Sequence, residues 1–208
     1  MVKLSAPCMS IDASGKLANA IVFSKWKGRN YARALVTPSN PQSAGQTGMR
    51  RMLKFLSQEW NGLAAGAKSS WDDRADASVI SQFNAYVGYN LKRWRNFTSP
   101  AQDDPAAESG TVAVLANEAA TAGTRQITID ADVTTLNDNW GIMIFRSTST
   151  GFSTAWTNLV QAIPAASVAS FAWIDTPLAA GTYYYNFRAF TDDGVIGAET
   201  GEVDDTVT

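Results

Sequence analysis

The sequence predicts an α+β protein: an N-terminal β-hairpin with a small helical cluster, followed by an all-β sandwich. Three observations carry that reading. Charge is partitioned, with residues 1–97 holding 14 Lys and Arg against 5 Asp and Glu (net +9) and residues 98–208 holding 3 against 14 (net −11). Hydrophobic spacing changes at the same place, from helical recurrence to alternation. Between the two lies Thr98–Gly110, which is polar and rich in Pro, Ser and acids, a linker composition. The expected organisation is a basic anchoring domain over 1–97, a linker over 98–110 and an acidic sandwich over 111–208.

The first elements are two β-prone runs, Ile21–Trp26 and Tyr31–Val36, joined by Lys27-Gly28-Arg29-Asn30. Gly28 and Asn30 tolerate the positive φ of a tight turn, which predicts a hairpin. Its polar ridge is expected to carry Lys25, Lys27, Arg29 and Arg33. Lysines and arginines on short strands protect a sheet edge from self-pairing. They equally suit a docking arm that adds to a neighbour's sheet or meets an acidic surface.

Thr37–Pro41 breaks the chain, and Ser43-Ala44-Gly45-Gln46 reads as a capping box opening a helix. Met49, Met52, Leu53, Leu56, Trp60 and Leu63 follow at helical spacing, with Arg50, Arg51 and Lys54 off the stripe. A shorter helix aligns Ala67, Trp71 and Ala75. A third, capped near Ser78, aligns Ile80, Phe83, Val87, Leu91 and Trp94. Tryptophan and methionine on such stripes read as core.

In the second half, Ile127, Ile129, Ala131 and Val133 alternate, as do Trp140, Ile142 and Ile144, then Phe171 and Trp173, then Tyr183, Tyr185, Phe187 and Ala189. Period two with Gly, Asp and Asn between runs predicts an antiparallel sandwich of about seven strands. Gly151–Ile163 is expected to hold an irregular connection around Trp156.

Composition narrows the chemistry. Histidine is absent, so triads that use imidazole and imidazole metal sites cannot be built. Cys8 is the only cysteine, which excludes an internal disulfide and a cysteine-rich zinc site. Asp130, Asp132, Asp138, Asp192, Asp193, Asp204 and Asp205 lack the spaced ligand pattern of a calcium loop. Phe152, Trp156 and Tyr184 suggest an aromatic surface, although sandwich core accounts for most such residues. No enzyme activity, cofactor or metal is expected. No apolar run approaches the roughly 18–20 residues of a membrane span, and the first residues read as neither a signal peptide nor a lipoprotein signal.

Two resemblances extend this reading. Gly15-Lys16-Leu17, then Phe23–Arg33 with its Trp26-Lys27-Gly28 and Tyr31-Ala32-Arg33, resembles the start of a class of tailed-bacteriophage virion proteins. That class follows a "GK…W-K-G-x-x-Y-x-R" hairpin with "N-P-x-[ST]-x-x-Q-x-x-x-R", here Asn40 through Arg50, and then spaced tryptophans, here Trp60 and Trp71. The resemblance covers roughly residues 14–95. It implies a non-enzymatic virion structural protein that contacts phage capsid or tail proteins and forms homo-oligomers on the particle. A capsid decoration role is the first expectation, and a tail, neck or baseplate component the second. The expected partner-binding residues are Lys25, Trp26, Lys27, Arg29, Tyr31, Arg33, Arg50 and Arg51. Nucleic acid is a disfavoured partner, because no reader motif is present and the acidic half opposes its approach. Secondly, Leu178–Ala189 is similar to the E–F corner of fibronectin type III domains, an Ig-like sandwich. Tyr183 matches the corner tyrosine, and Trp140 matches the core tryptophan.

Overall fold

The computed structural model describes residues 2–3, 15–17, 20–37, 39–40, 42–133, 138–165 and 168–208. Cys8 and the prolines of the Thr37–Pro41 break, Pro38 and Pro41, lie outside the described residues. The chain is α+β and divides into two compact units, Met1–Pro41 and Gln42–Thr208. The expected boundary near residue 97 is therefore displaced to residue 41.

The first unit is a four-stranded antiparallel sheet. Strands β1 (Val2–Lys3), β2 (Gly15–Leu17), β3 (Ile21–Trp26) and β4 (Arg29–Ala34) take the order β1-β4-β3-β2. The hairpin turn contains only Lys27 and Gly28, with φ of 47° and 77°. Both fall in the left-handed region that a two-residue turn needs to match strand twist. Asn30, expected in the turn, instead pairs with Lys25 inside the ladder. Trp26 faces Arg29 across the turn.

The second unit begins with helix α1 (Ala44–Gly62), followed by α2 (Ala65–Ser69), α3 (Asp72–Ser78) and α4 (Gln82–Arg95). Ser43 occupies the N-cap of α1, but its side chain makes no capping hydrogen bond, so the expected capping box is not formed. The buried stripe of α1 is Gly48, Met52, Phe55 and Leu56, whereas Leu53 is exposed. The helix is thus rotated relative to the stripe expected through Leu53. The single helix expected through Ala67, Trp71 and Ala75 is two short ones, with Trp71 buried between them. The cap of the last helix is Ser81 rather than Ser78, and its side chain accepts a hydrogen bond from the Asn84 N–H at 3.3 Å. Ile80, expected on that helix's stripe, precedes it and is exposed.

Seven further strands follow: β5 (Leu115–Gly123), β6 (Gln126–Val133), β7 (Asn139–Ser147), β8 (Leu159–Pro164), β9 (Ser170–Asp175), β10 (Gly181–Thr191) and β11 (Val203–Val207). They form a four-stranded sheet, β11-β10-β7-β8, and a three-stranded sheet, β5-β6-β9. Between the sheets lie Ile127, Ile129, Ala131, Val133, Ile142, Ile144, Tyr185, Phe187 and Ala189. The Tyr183 hydroxyl donates to the Ala179 carbonyl at 3.1 Å, closing the corner before β10 as the sequence suggests.

The four-stranded sheet is buried on both sides. Met143, Phe145, Leu159, Ala162 and Phe190 join Met52, Phe55, Leu56, Trp71, Tyr86 and Trp94 of the helical segment in a second core. Trp140 belongs to this second core and not to the inter-sheet one expected. Its ring meets Phe55 edge-on at 5.1 Å, and its Nε1–H donates to Glu59 of α1 at 3.1 Å. The unit is therefore three layers deep, with helices on one face of the central sheet and β5-β6-β9 on the other.

The expected linker is a bonded strap. Asn90 of α4 donates to the Ala101 carbonyl and accepts from the Ala101 N–H, each at 2.9 Å. Trp71 Nε1 donates to the Gln102 carbonyl at 2.8 Å, and Arg74 grips Asp104 through two bonds of 2.6 and 2.8 Å. From the far side, the Gln102 N–H donates to the Asp192 carbonyl at 2.7 Å and the Glu108 N–H to that of Asp193 at 2.9 Å. Ser99 and Ala101 are fully buried. Backbone groups that a free linker would leave to water are satisfied here by both neighbours.

Candidate functional site

The basic N-terminal sheet supplies the candidate site. Side chains alternate between faces along a strand. The pairs Trp26–Arg29, Ser24–Tyr31 and Val22–Arg33 therefore share one face, and Lys25–Asn30, Phe23–Ala32 and Ile21–Ala34 the other. The first is cationic and aromatic: Arg29, Tyr31 and Arg33 stand in a row at steps of about 7 Å, with Trp26 beside Arg29. The second is mainly apolar. The ridge expected to hold Lys25, Lys27, Arg29 and Arg33 is thus divided, with Lys25 on the apolar side and Lys27 in the turn.

Trp26 is 66% exposed, and the Lys27 ammonium lies 4.8 Å from its ring centroid. That cation–π contact holds the ring at the tip of the hairpin. No side chain described between residues 15 and 40 is buried. A sheet with no fully buried side chain among its described residues has little apolar burial to set against the ordering of its backbone. The edges of the hairpin are occupied, since β2 pairs with β3 and β1 with β4. Docking by adding the hairpin to a neighbour's sheet, one of the sequence expectations, would require displacing one of them. The faces are what this sheet offers.

Arg50 and Arg51, also expected in the site, lie on α1 in the other unit. Arg50 and Arg95 border a shallow hollow floored by Met49 and Trp156. Phe152 and Trp156 pack against the helical core rather than forming a free aromatic platform. Trp156 reaches α1 because Gly45 and Gly48 carry no side chain. A Cβ on Gly48 would stand 2.1 Å from the Trp156 carbonyl oxygen. Arg93 donates to the Ser99 carbonyl, Glu108 and the Gly194 carbonyl.

A groove of ≈ 540 Å³ runs between Val112–Leu115 and Gly197–Gly201. Its carboxylates are Glu118 and Glu199, and Glu199 is held by Arg188, Thr154 and Asn186. Titratable groups with displaced proton affinity lie elsewhere. Burial pushes the Tyr86 and Tyr185 hydroxyls up, and burial beside Asp193 pushes Asp192 up. Arg74 is raised by its bond to Asp104. Among the described residues no three His, Cys, Asp or Glu side chains gather as metal ligands, and no helix is long and apolar enough to cross a membrane.

The outer face of the three-stranded sheet is not among the surfaces expected from the sequence. Ile127, Ile129, Ala131 and Val133 point inward, which turns Thr128, Asp130 and Asp132 outward beside Ala119 and Thr121 of β5 and Ser170, Ala172 and Ile174 of β9. The alternation that located the core also held this information, because every inward residue defines an outward neighbour.

No protein-family model matches the chain, and no curated protein matches it. Among solved structures, a β-1,2-glucanase from Parabacteroides distasonis aligns at 18% identity with a TM-score of 0.36, over 48% of this chain and 13% of the glucanase. The PKD domain of an M14-like peptidase from Thermoplasmatales archaeon SCGC AB-540-F20 aligns at 16% identity with a TM-score of 0.24, over 48% of this chain and 93% of that domain. Both scores are low.

Proposed function

We propose that this chain is a non-enzymatic structural protein of a tailed-bacteriophage virion, a capsid decoration protein that docks through its basic N-terminal sheet. The C-terminal strands are read as a fibronectin type III or Ig-like sandwich presented on the particle, with Tyr183 as its corner tyrosine. The observation that carries the docking role is the open face of the first unit, where Arg29, Tyr31, Arg33 and a 66% exposed Trp26 share one side of a sheet. Exposed aromatic and arginine side chains are the types that dominate binding energy once covered. The sequence resemblance over residues 14–95 supplies the virion context. Absence of histidine agrees with a protein whose work is assembly.

Quantitative mass spectrometry of purified particles tests the reading. A copy number comparable to the capsid protein is expected, and Arg29→Glu with Arg33→Glu should reduce incorporation. A few copies per particle would move the protein to the tail, neck or baseplate. Absence from particles would overturn the proposal.

A further inference from the structure

The first unit carries Lys3, Lys16, Lys25, Lys27, Arg29 and Arg33 against Asp12, a net of +5, while residues 42–208 carry 11 cations against 18 anions, a net of −7. We propose that the partner of the basic face is a second copy of this chain: the Trp26–Arg29–Tyr31–Arg33 face of one copy docks on the outer face of the β5-β6-β9 sheet of the next. The inference rests on the docking role proposed above and names what the sheet docks on.

Three observations select this occupant. First, strands β5, β6 and β9 contain no Lys or Arg, and their outer face presents Asp130 and Asp132 among Ala, Thr and Ser. These carboxylates stand about 7 Å apart, within the span of about 14 Å between Arg29 and Arg33. Secondly, that face is shallow and partly apolar, with Ile174 48% exposed and Ala119 and Ala172 beside the acidic row. Small side chains of this kind let the flat Trp26 and Tyr31 rings lie close. Thirdly, two basic faces repel each other, which disfavours isologous pairing through this surface. Complementary faces on different units make the contact heterologous, so that copies join head to tail.

Size sets the expected strength. Two six-residue strands flanked by one of two and one of three residues, about 4.8 Å apart, offer a face of roughly 280 Å², about a third of the roughly 800 Å² per partner in a standard stable interface. One contact is therefore weak in solution and gains from repetition when copies are held in an array.

Sedimentation velocity of the full-length chain, from about one to some hundreds of micromolar at low salt, tests this. The average mass should rise with concentration, and about 0.5 M salt should weaken association roughly tenfold. Arg29→Glu/Arg33→Glu and Asp130→Asn/Asp132→Asn should each be monomeric, with unchanged circular dichroism. Mixed one to one, they should form a heterodimer that grows no further, because each retains the face that the other lost. A wild-type chain that stays monomeric throughout, as it would if the sheet docked within its own chain, overturns the proposal. So does an acidic-face variant that associates like wild type, or a mixture that stays monomeric. Binding of a labelled single-stranded oligonucleotide that the arginine variant loses, with self-association intact, would assign the face to nucleic acid and overturn it too. Failure of self-association in a protein still found in particles removes this inference alone. Heterodimer formation by a protein absent from particles removes the virion reading alone.

Discussion

Among the described residues the chain contains two four-stranded antiparallel sheets, and they differ in what covers them. In β1-β4-β3-β2 no described side chain is buried, and Trp26 stands 66% exposed. In β11-β10-β7-β8 both faces are covered, and Trp140 is 2% exposed between Phe55, Phe190 and Glu59. Ladder hydrogen bonds are common to both. The comparison teaches that side-chain burial separates a self-sufficient sheet from one whose stability depends on a partner.

Substituting the two tryptophans gives the largest contrast. Trp140→Ala should cost about 3–5 kcal/mol, since it removes a fully packed ring and leaves Glu59 without its donor. Helix and strand signals should then melt together in denaturant, because one core serves both. Separate transitions for the helices and the sandwich would break the three-layer account. Trp26→Ala should leave that melting curve within about 0.5 kcal/mol of wild type while weakening assembly.

Two glycines sharpen the same point within the helices. Gly48→Ala should cost about 1–3 kcal/mol, because the new methyl would press on the Trp156 carbonyl, whose backbone has little room to withdraw. Gly88 of α4 has nothing within 4 Å of an added Cβ. Gly88→Ala should stabilise by roughly 0.5–1 kcal/mol through helix propensity. Equal effects at the two positions, measured by urea denaturation, would contradict the observed seating of Trp156.

The smallest expected effect is a pH dependence at the strap. Burial, with Asp193 adjacent and Asp138 nearby, raises Asp192 from its ordinary value. A raised folded-state value favours the protonated acid. Its contribution to stability is present below the unfolded value of about 4 and is lost as pH rises through the folded value. Asp192→Asn, which resembles the neutral acid, should raise the melting midpoint modestly at pH 7 and change little at pH 3. A lower midpoint at pH 7 would show that the carboxylate is stabilising.

Some of the molecule is legible in the sequence. The hairpin followed from β-prone runs on either side of Gly28, and the inward faces of β6 and β10 followed from alternation. The boundary and the strap were not legible, because charge and composition describe exposure to water and not which segment packs on which. Residues 98–110 read as a linker because polar residues mark loops, yet their backbone groups bond to Asn90, Trp71 and the 192–193 turn. One signal was available: Trp140-Gly-Ile-Met-Ile-Phe145 is a continuous apolar run, the pattern of a strand covered on both faces. In the candidate site, residue types were readable but grouping was not. A one-residue shift in turn position reassigns side chains between faces, so the register alone places Arg29, Tyr31 and Arg33 together and Lys25 opposite.

The sequence by itself determined that this is an α+β chain, basic at its start, acidic beyond and without imidazole chemistry, because composition and periodicity are local properties. Only the tertiary structure decided that the helices and sandwich share one core and that the N-terminal sheet forms its own unit. Burial is a relation between segments far apart in the chain, and Trp140 meets Phe55 across 85 residues that no local pattern spans.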